Sequence, residues 1–146
     1  MKLNLPKKYI SISQVNLFLQ DSKKYMDRYF HLIPEEPSIY MEFGKTFATD
    51  CEAFIKDGIV NETFPTFYID KMQPFVGKES EKEIALSING VQVKGFIDVW
   101  DAENNKVIDF KTSGKSWTEQ TLQDSLQMRI YSMAMFTNGQ EIPVSQ

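Results

Sequence analysis

Gly95-Phe96-Ile97-Asp98 and Ile108-Asp109-Phe110-Lys111-Thr112-Ser113 are the two runs on which the fold of this chain turns. They place two carboxylates and one ammonium within fourteen residues, counted from Asp98 to Lys111. Asp98 falls near the end of one apparent strand, and Asp109 and Lys111 fall on the next. Residues two apart in a strand share a face, so Asp109 and Lys111 project together while Phe110 faces the other way. Acids crowded beside a lysine are costly unless something compensates them. A divalent cation held by the acids does so, and leaves the lysine close to whatever that cation activates. The competing reading is a cross-strand ion pair of Asp98 with Lys111 on a solvated sheet face.

Upstream of these runs, Ile84, Leu86 and Ile88 alternate with Glu83, Ala85 and Ser87, and Asn89-Gly90 follows as a strong hairpin signal. Val91 to Trp100 reads as the second strand, Asp101 to Asn105 as a polar turn, and Lys106 to Lys111 as the third strand. The result is a three-strand antiparallel meander. Beyond Gly114, Ser116 or Thr118 can cap a final helix from about 118 to 136, on which Gln123, Gln127 and Tyr131 share one face. Ile142-Pro143-Val144 leads into a further strand.

Before the meander the period is helical. Ser11 or Ser13 caps a first helix whose apolar stripe is Val15, Phe18, Leu19, Tyr25, Met26 and Tyr29. Lys23, Lys24 and Arg28 lie toward its C-terminal half, either as a solvated face or as phosphate contacts. Pro34 and Pro37 bracket a loop, and a second helix runs from about 39 to 56, ended by Asp57-Gly58. Gly44 within it suggests close packing against another backbone. The aromatic, proline-containing stretch from Asn61 to Gly77 is expected to be a short helix or irregular.

A chain of 146 residues, 42% hydrophobic and 25% charged, fits one soluble domain over 1–146. No stretch approaches the ~20 apolar residues of a membrane span, and the first residues lack a signal-peptide apolar core. A cytoplasmic protein without membrane contact is expected. The single cysteine, Cys51, reads as a small buried hydrophobe, and the single histidine, His31, as a helix-end residue. Any metal site must therefore be built from carboxylates, which suits Mg²⁺ or Mn²⁺. The net charge of −4 argues against nonspecific coating of nucleic acid. It leaves room for an enzyme that touches a few phosphates.

Four patterns, in order along residues 11 to 131, carry a resemblance: Ser11-Ile-Ser-Gln-Val-Asn-Leu-Phe-Leu, Gly44, the GFID and IDFKTS runs, and Gln127-Met-Arg-Ile-Tyr131. Together with the element order, they resemble the PD-(D/E)XK nuclease superfamily and, within it, the RecB-like branch. The resemblance implies an α+β, restriction-endonuclease-like core, with helices flanking a small mixed sheet. It implies that Asp98 and Asp109 are metal ligands and that the Phe110 carbonyl is a backbone ligand. Lys111 would position or help deprotonate the attacking water, and Gln127 and Tyr131 would line the site.

Two departures stand out. The branch commonly carries a histidine four residues after the helix glycine, where this chain has Ala48. Glu52, one turn later, either supplies a carboxylate in its place or is a solvated helix residue. Asp50 is a weaker candidate, because two residues on from Ala48 it faces elsewhere. Many relatives carry Cys-Pro near the first helix, where this chain has Asp21-Ser22, so no iron–sulfur cluster is expected. Relatives usually continue with another strand and helix. This chain stops fifteen residues past Tyr131 (146 minus 131), as expected of a C-terminally truncated domain, one completed by a partner, or a minimal variant. The expected activity is that of a metal-dependent deoxyribonuclease, exonuclease-like, in recombination, repair or phage DNA processing. DNA is the expected partner, with a helicase, an annealing protein or a second copy as working associates. The alternatives are a catalytically weak or inactive nuclease-fold domain that binds nucleic acid, and an interaction domain of a larger assembly.

Overall fold

In the computed structural model, which describes residues 5–62, 64–137 and 144–145, the chain begins with β1 (Ile10–Ser11), α1 (Ile12–Gln20), α2 (Ser22–Tyr29) and α3 (Ile39–Asp57). The short α4 (Ile69–Met72) follows, flanked by tight helical turns. Then come β2 (Glu79–Ile88), β3 (Val91–Asp101), β4 (Lys106–Ile108), α5 (Glu119–Asp124), α6 (Leu126–Thr137) and β5 (Val144–Ser145).

The hairpin at Asn89-Gly90 sets the centre of the sheet. Both residues have positive φ, 50° and 80°, as a two-residue turn matched to strand twist requires. β2 and β3 pair antiparallel along their length, from Ile88 with Val91 to Glu79 with Trp100. β4 adds antiparallel at Val99 to Asp101, β1 adds parallel at Val93 and Lys94, and β5 pairs parallel with β4. A strand has two edges, and β2 covers one of them. β1 and β4 must therefore share the other, leaving residues 95–98 of β3 between them. The sheet is mixed, contains the three-strand meander and is flanked by helices, as expected of a restriction-endonuclease-like core.

One face packs Ile84, Leu86, Val93, Ile97, Trp100 and Val107 against Ile12 and the α6 residues Met128, Ile130, Tyr131, Ala134 and Met135. The other packs Val99 and Ile108 against Cys51, Phe54 and Ile55 of α3, with Phe64 and Met72. Each fully buried aliphatic side chain contributes roughly 1.5–3 kcal/mol. Ile97 and Val99 would share a face in a regular strand, yet they join different cores, so alternation slips at Asp98. Opposite it, Glu81 takes φ 52°, a conformation that glutamate rarely adopts.

Several boundaries differ from the sequence expectation. The first helix breaks at Asp21, which caps α2 by accepting the Lys24 amide at 2.9 Å. Its expected apolar stripe is not core: Phe18 and Leu19 are 50% and 68% exposed, and the buried residues of α1 are Ile12 and Gln14. The third strand ends at Ile108 rather than at Lys111. The final helix is interrupted at Ser125, whose extended backbone separates α5 from α6 and removes Gln123 from the face of Gln127 and Tyr131. Gly44 approaches a side chain rather than a backbone, since a Cβ there would lie 3.1 Å from Thr112 Oγ1. The expected caps of α1, α3 and α5 form at Ser11, Gly58 and Thr118. Among the described residues no helix is long and apolar enough to cross a membrane.

Gly95 is required by close approach. A Cβ there would lie 2.6 Å from Ile12 Cδ1 and 3.2 Å from Tyr131 Cε1. Gly95→Ala is expected to cost about 1–3 kcal/mol by overpacking, read as a lower urea midpoint at unchanged slope. An unchanged midpoint would show that α1 and α6 do not clamp β3 there.

Candidate active site

The site occupies the gap that β1 and β4 leave on β3. Val99 pairs with Ile108, so one further step of the register would set Asp98 directly opposite Asp109. The strands part at that point. The Phe110 amide, freed from the ladder, donates to Asp98 Oδ2 at 2.6 Å. The third strand stops at Ile108 for this reason, because a side chain has replaced the ladder partner.

Asp109 is held on both oxygens. Its side chain is 4% exposed, with Oδ2 2.5 Å from Lys111 Nζ, while Lys111 is 38% exposed and reaches the surface. Oδ1 accepts from Gln127 Nε2 at 2.7 Å. Gln127 Nε2 also lies 2.6 Å from Tyr131 Oη, and the Tyr131 hydroxyl donates to the Phe96 carbonyl inside the gap. Gln127 and Tyr131 lie one turn apart on α6, whose Met128, Ile130, Ala134 and Met135 are buried in the core. A packed helix thus carries the polar relay from β3 to Asp109.

Burial dominates the electrostatics. It raises the Asp98 pKa to about 6, with the Asp109 charge adding and the Phe110 amide and Lys111 opposing. Burial also raises Asp109, against the pull of Lys111. The Tyr131 phenol is pushed up by burial, so it stays protonated and remains a donor. Burial lifts the Cys51 thiol to about 12, with Asp98 contributing, so Cys51 is a neutral packing residue near the acids. Two neighbouring carboxylates that are costly to ionise fit a hard divalent cation. Among the described residues no group of three or more His, Cys, Asp or Glu converges. The donor set therefore suits an ion that keeps several waters and accepts phosphate oxygens, which is the habit of Mg²⁺. Asp98, Asp109 and the Phe110 carbonyl are the groups that would hold it.

Of the other sequence candidates, Glu52 is bound to Lys56 at 2.5 Å and lies close to Glu81, whose charge also acts on Asp98. Lys24 and Arg28 are both paired with Glu35, and Lys23 is exposed. Ala48 is four residues from Gly44, which borders Thr112, and three from Cys51, which is coupled to Asp98. It therefore lies on the helix face turned toward the site. His31 rests on Asp27 at 3.0 Å. Among the several clefts that Lys111 borders are two that share no other lining residue. One, of about 550 Å³, is bordered by Tyr9, Ser13, Asn16, Lys94 and Gln127. The other, of about 760 Å³, is bordered by Tyr68, Lys71, Lys115 and Trp117. Of these lining residues the sequence reading assigned Gln127 to the site but not Tyr9, Asn16, Lys94, Tyr68, Lys71 or Trp117, for which the available signal was a Trp in the polar Gly114-Lys115-Ser116 loop.

A family model of the PD-(D/E)XK nuclease superfamily matches residues 60–145, more than half of the chain. No curated protein and no solved structure matches.

The raised Asp98 pKa has a definite consequence for stability. The folded state holds its proton between about pH 4 and about 6, where the unfolded state has lost it, so stability falls as pH rises through that window. Asp98→Asn keeps the acceptor for Phe110 and removes the charge. It is expected to stabilise the metal-free protein at pH 7 by on the order of 2 kcal/mol and to flatten the profile. Mn²⁺ is expected to raise the melting temperature of the parent chain and not that of the variant. A variant no more stable than the parent, with an equal response to Mn²⁺, would show that Asp98 is neither strained nor a ligand.

Proposed function

The chain belongs to the PD-(D/E)XK nuclease superfamily, and from that membership we propose that it is a metal-dependent deoxyribonuclease that hydrolyses phosphodiester bonds at Asp98, Asp109 and Lys111. The observation that carries this reading is the convergence of the three groups at one break in the sheet. Asp98 is tied to the amide of Phe110, and Asp109, the residue before it, is 2.5 Å from Lys111. A bound divalent ion, which members of the superfamily usually use, acidifies water and polarises the phosphate.

The chain's own groups do the rest. Asp98 and Asp109 would hold the cation, whose charge would offset their mutual repulsion. Lys111, a compact ammonium beside Asp109, would offset charge gathering on the scissile phosphate. Gln127 keeps Asp109 oriented, and Tyr131 keeps Gln127 oriented from the Phe96 carbonyl. Water adds at phosphorus, the bond to the leaving oxygen breaks, and that oxygen takes up a proton. The four sequence patterns that resemble the RecB-like branch support exonuclease-like cutting in recombination, repair or phage DNA processing.

A second reading, a nuclease-fold domain that binds nucleic acid or a protein partner with weak or no catalysis, is favoured by two observations. Ala48 stands where the RecB-like branch commonly has histidine, and both oxygens of Asp109 are already engaged.

Cleavage of linear DNA in Mg²⁺ or Mn²⁺ separates the two. Asp109→Ala is expected to abolish cutting, and Lys111→Ala to slow it by roughly 10²–10⁴-fold, the usual worth of acid–base assistance. Equal cutting by parent and Asp109→Ala would remove the site assignment. Salt-dependent binding without cutting by the parent chain would establish the second reading.

A further inference from the structure

The cleft beyond Lys111 carries an unusual pairing of side chains. The chain has two tryptophans. Trp100 is 4% exposed and belongs to the core, whereas Trp117 is 42% exposed and borders this cleft. Every residue from 111 to 120 is exposed, so packing does not account for Trp117. Tyr68 borders the same cleft, with Lys71 Nζ 5.9 Å from its ring centroid and the exposed Phe67 ring at 4.3 Å from it. Lys71, Lys111 and Lys115 line the cleft. The acids there are Asp109, already paired with Lys111, and Glu119. On the other side of Lys111, the first cleft also sets an ammonium near an aromatic ring, Lys94 Nζ 5.6 Å from that of Tyr9, although here Lys94 is paired with Glu83 of the same cleft.

We propose that the cleft bounded by Tyr68, Lys71, Lys115 and Trp117 is a stacking subsite for single-stranded nucleic acid, seating the nucleotide next to the phosphate that Lys111 meets. This rests on the phosphodiester reading of the site and names the form of its substrate. Each nucleotide of a single strand offers one anionic phosphate and one flat, unstacked base. Alternating ammonium groups and aromatic faces match that repeat, and every base has a π-face, so such a site is indifferent to sequence. In a duplex the base faces are buried in their own stack. A duplex can use this subsite only where an end has frayed. The strand runs from the Tyr9 and Lys94 cleft, past Lys111, to Trp117.

Intrinsic tryptophan fluorescence tests this directly, because Trp100 is buried and Trp117 is not. Oligothymidylate titrated into the full chain in EDTA, where no chemistry proceeds, is expected to quench the exposed tryptophan saturably. A duplex of equal phosphate content is expected to quench weakly. Trp117→Ala is expected to lose the quench and to weaken oligonucleotide binding, followed by anisotropy, about five- to 150-fold, the range for one lost base stack. Trp117→Phe is expected to retain most of the affinity. Lys71→Ala is expected to lower the slope of log affinity on log salt by about 0.7. Equal quenching by duplex and single strand, or unchanged affinity in Trp117→Ala, would overturn the subsite. Those readouts are independent of cutting. If the parent chain never cleaves yet Trp117 still stacks, the hydrolytic reading fails and the subsite stands. If the chain cleaves and Trp117→Ala binds as the parent does, the subsite alone fails.

Discussion

Two aspartates that cannot comfortably be neighbours govern this structure. The register of β3 and β4 would bring Asp98 and Asp109 face to face, and the sheet opens at that position instead. The Phe110 amide, which a continued ladder would have bound to a carbonyl, is given to the Asp98 carboxylate. A hydrogen bond to a charged acceptor is stronger than a neutral one, so little is lost by leaving the ladder. What is gained is a pocket in the sheet wall in which one carboxylate is anchored to the backbone of its neighbour. The alternation slip of β3 and the positive φ of Glu81 fall at the same level of the sheet. The distortion thus extends through the hairpin and is not confined to one side chain.

The surroundings show how such a pair is tolerated without a cation. Lys111 and Gln127 each take one oxygen of Asp109, and burial raises both acids. Among the described residues, Asp98 has the amide of Phe110 as its hydrogen-bond partner, and its pKa is the one that reaches about 6. The two acids are therefore not equivalent. Asp109 is compensated from within the protein, while Asp98 keeps unspent capacity for charge from outside. Tyr131 is protonated and fixed to the Phe96 carbonyl, so the relay from the sheet to Asp109 has one direction of donation at its far end.

Much of this was legible in the amino acids. The period of two put Asp109 and Lys111 together, and they do meet, although the strand that justified the inference ends one residue before Asp109. An extended backbone keeps side chains alternating whether or not it is hydrogen-bonded. The Asn89-Gly90 turn and the spacing of Gln127 and Tyr131 also survive, because both depend on local geometry. The helix breaks at Asp21 and Ser125 were not legible. Each residue can ride along a helix or cap a new one, and the choice depends on what lies beneath it. The apolar stripe of the first helix misled because its members do not all turn inward: Phe18 and Leu19 face out, while Gln14 is buried. Glu52 could be placed one turn from Ala48 by sequence. That its carboxylate turns to Lys56 was a rotamer choice among neighbours distant in the chain only through Glu81.

β1 is two residues long, yet it covers part of an edge of the central strand and pairs parallel with residues more than eighty positions away. The β2–β3 hairpin is local and closes over a two-residue turn, whereas joining β1 to β3 closes a very large loop. Chain entropy therefore favours the hairpin first and β1 last. Helix α1 begins directly after β1 and supplies Ser13 and Asn16 to the wall beside Lys111. On loop-closure grounds the N-terminal segment is thus a later piece to dock than the hairpin, and without it this wall of the cleft is missing.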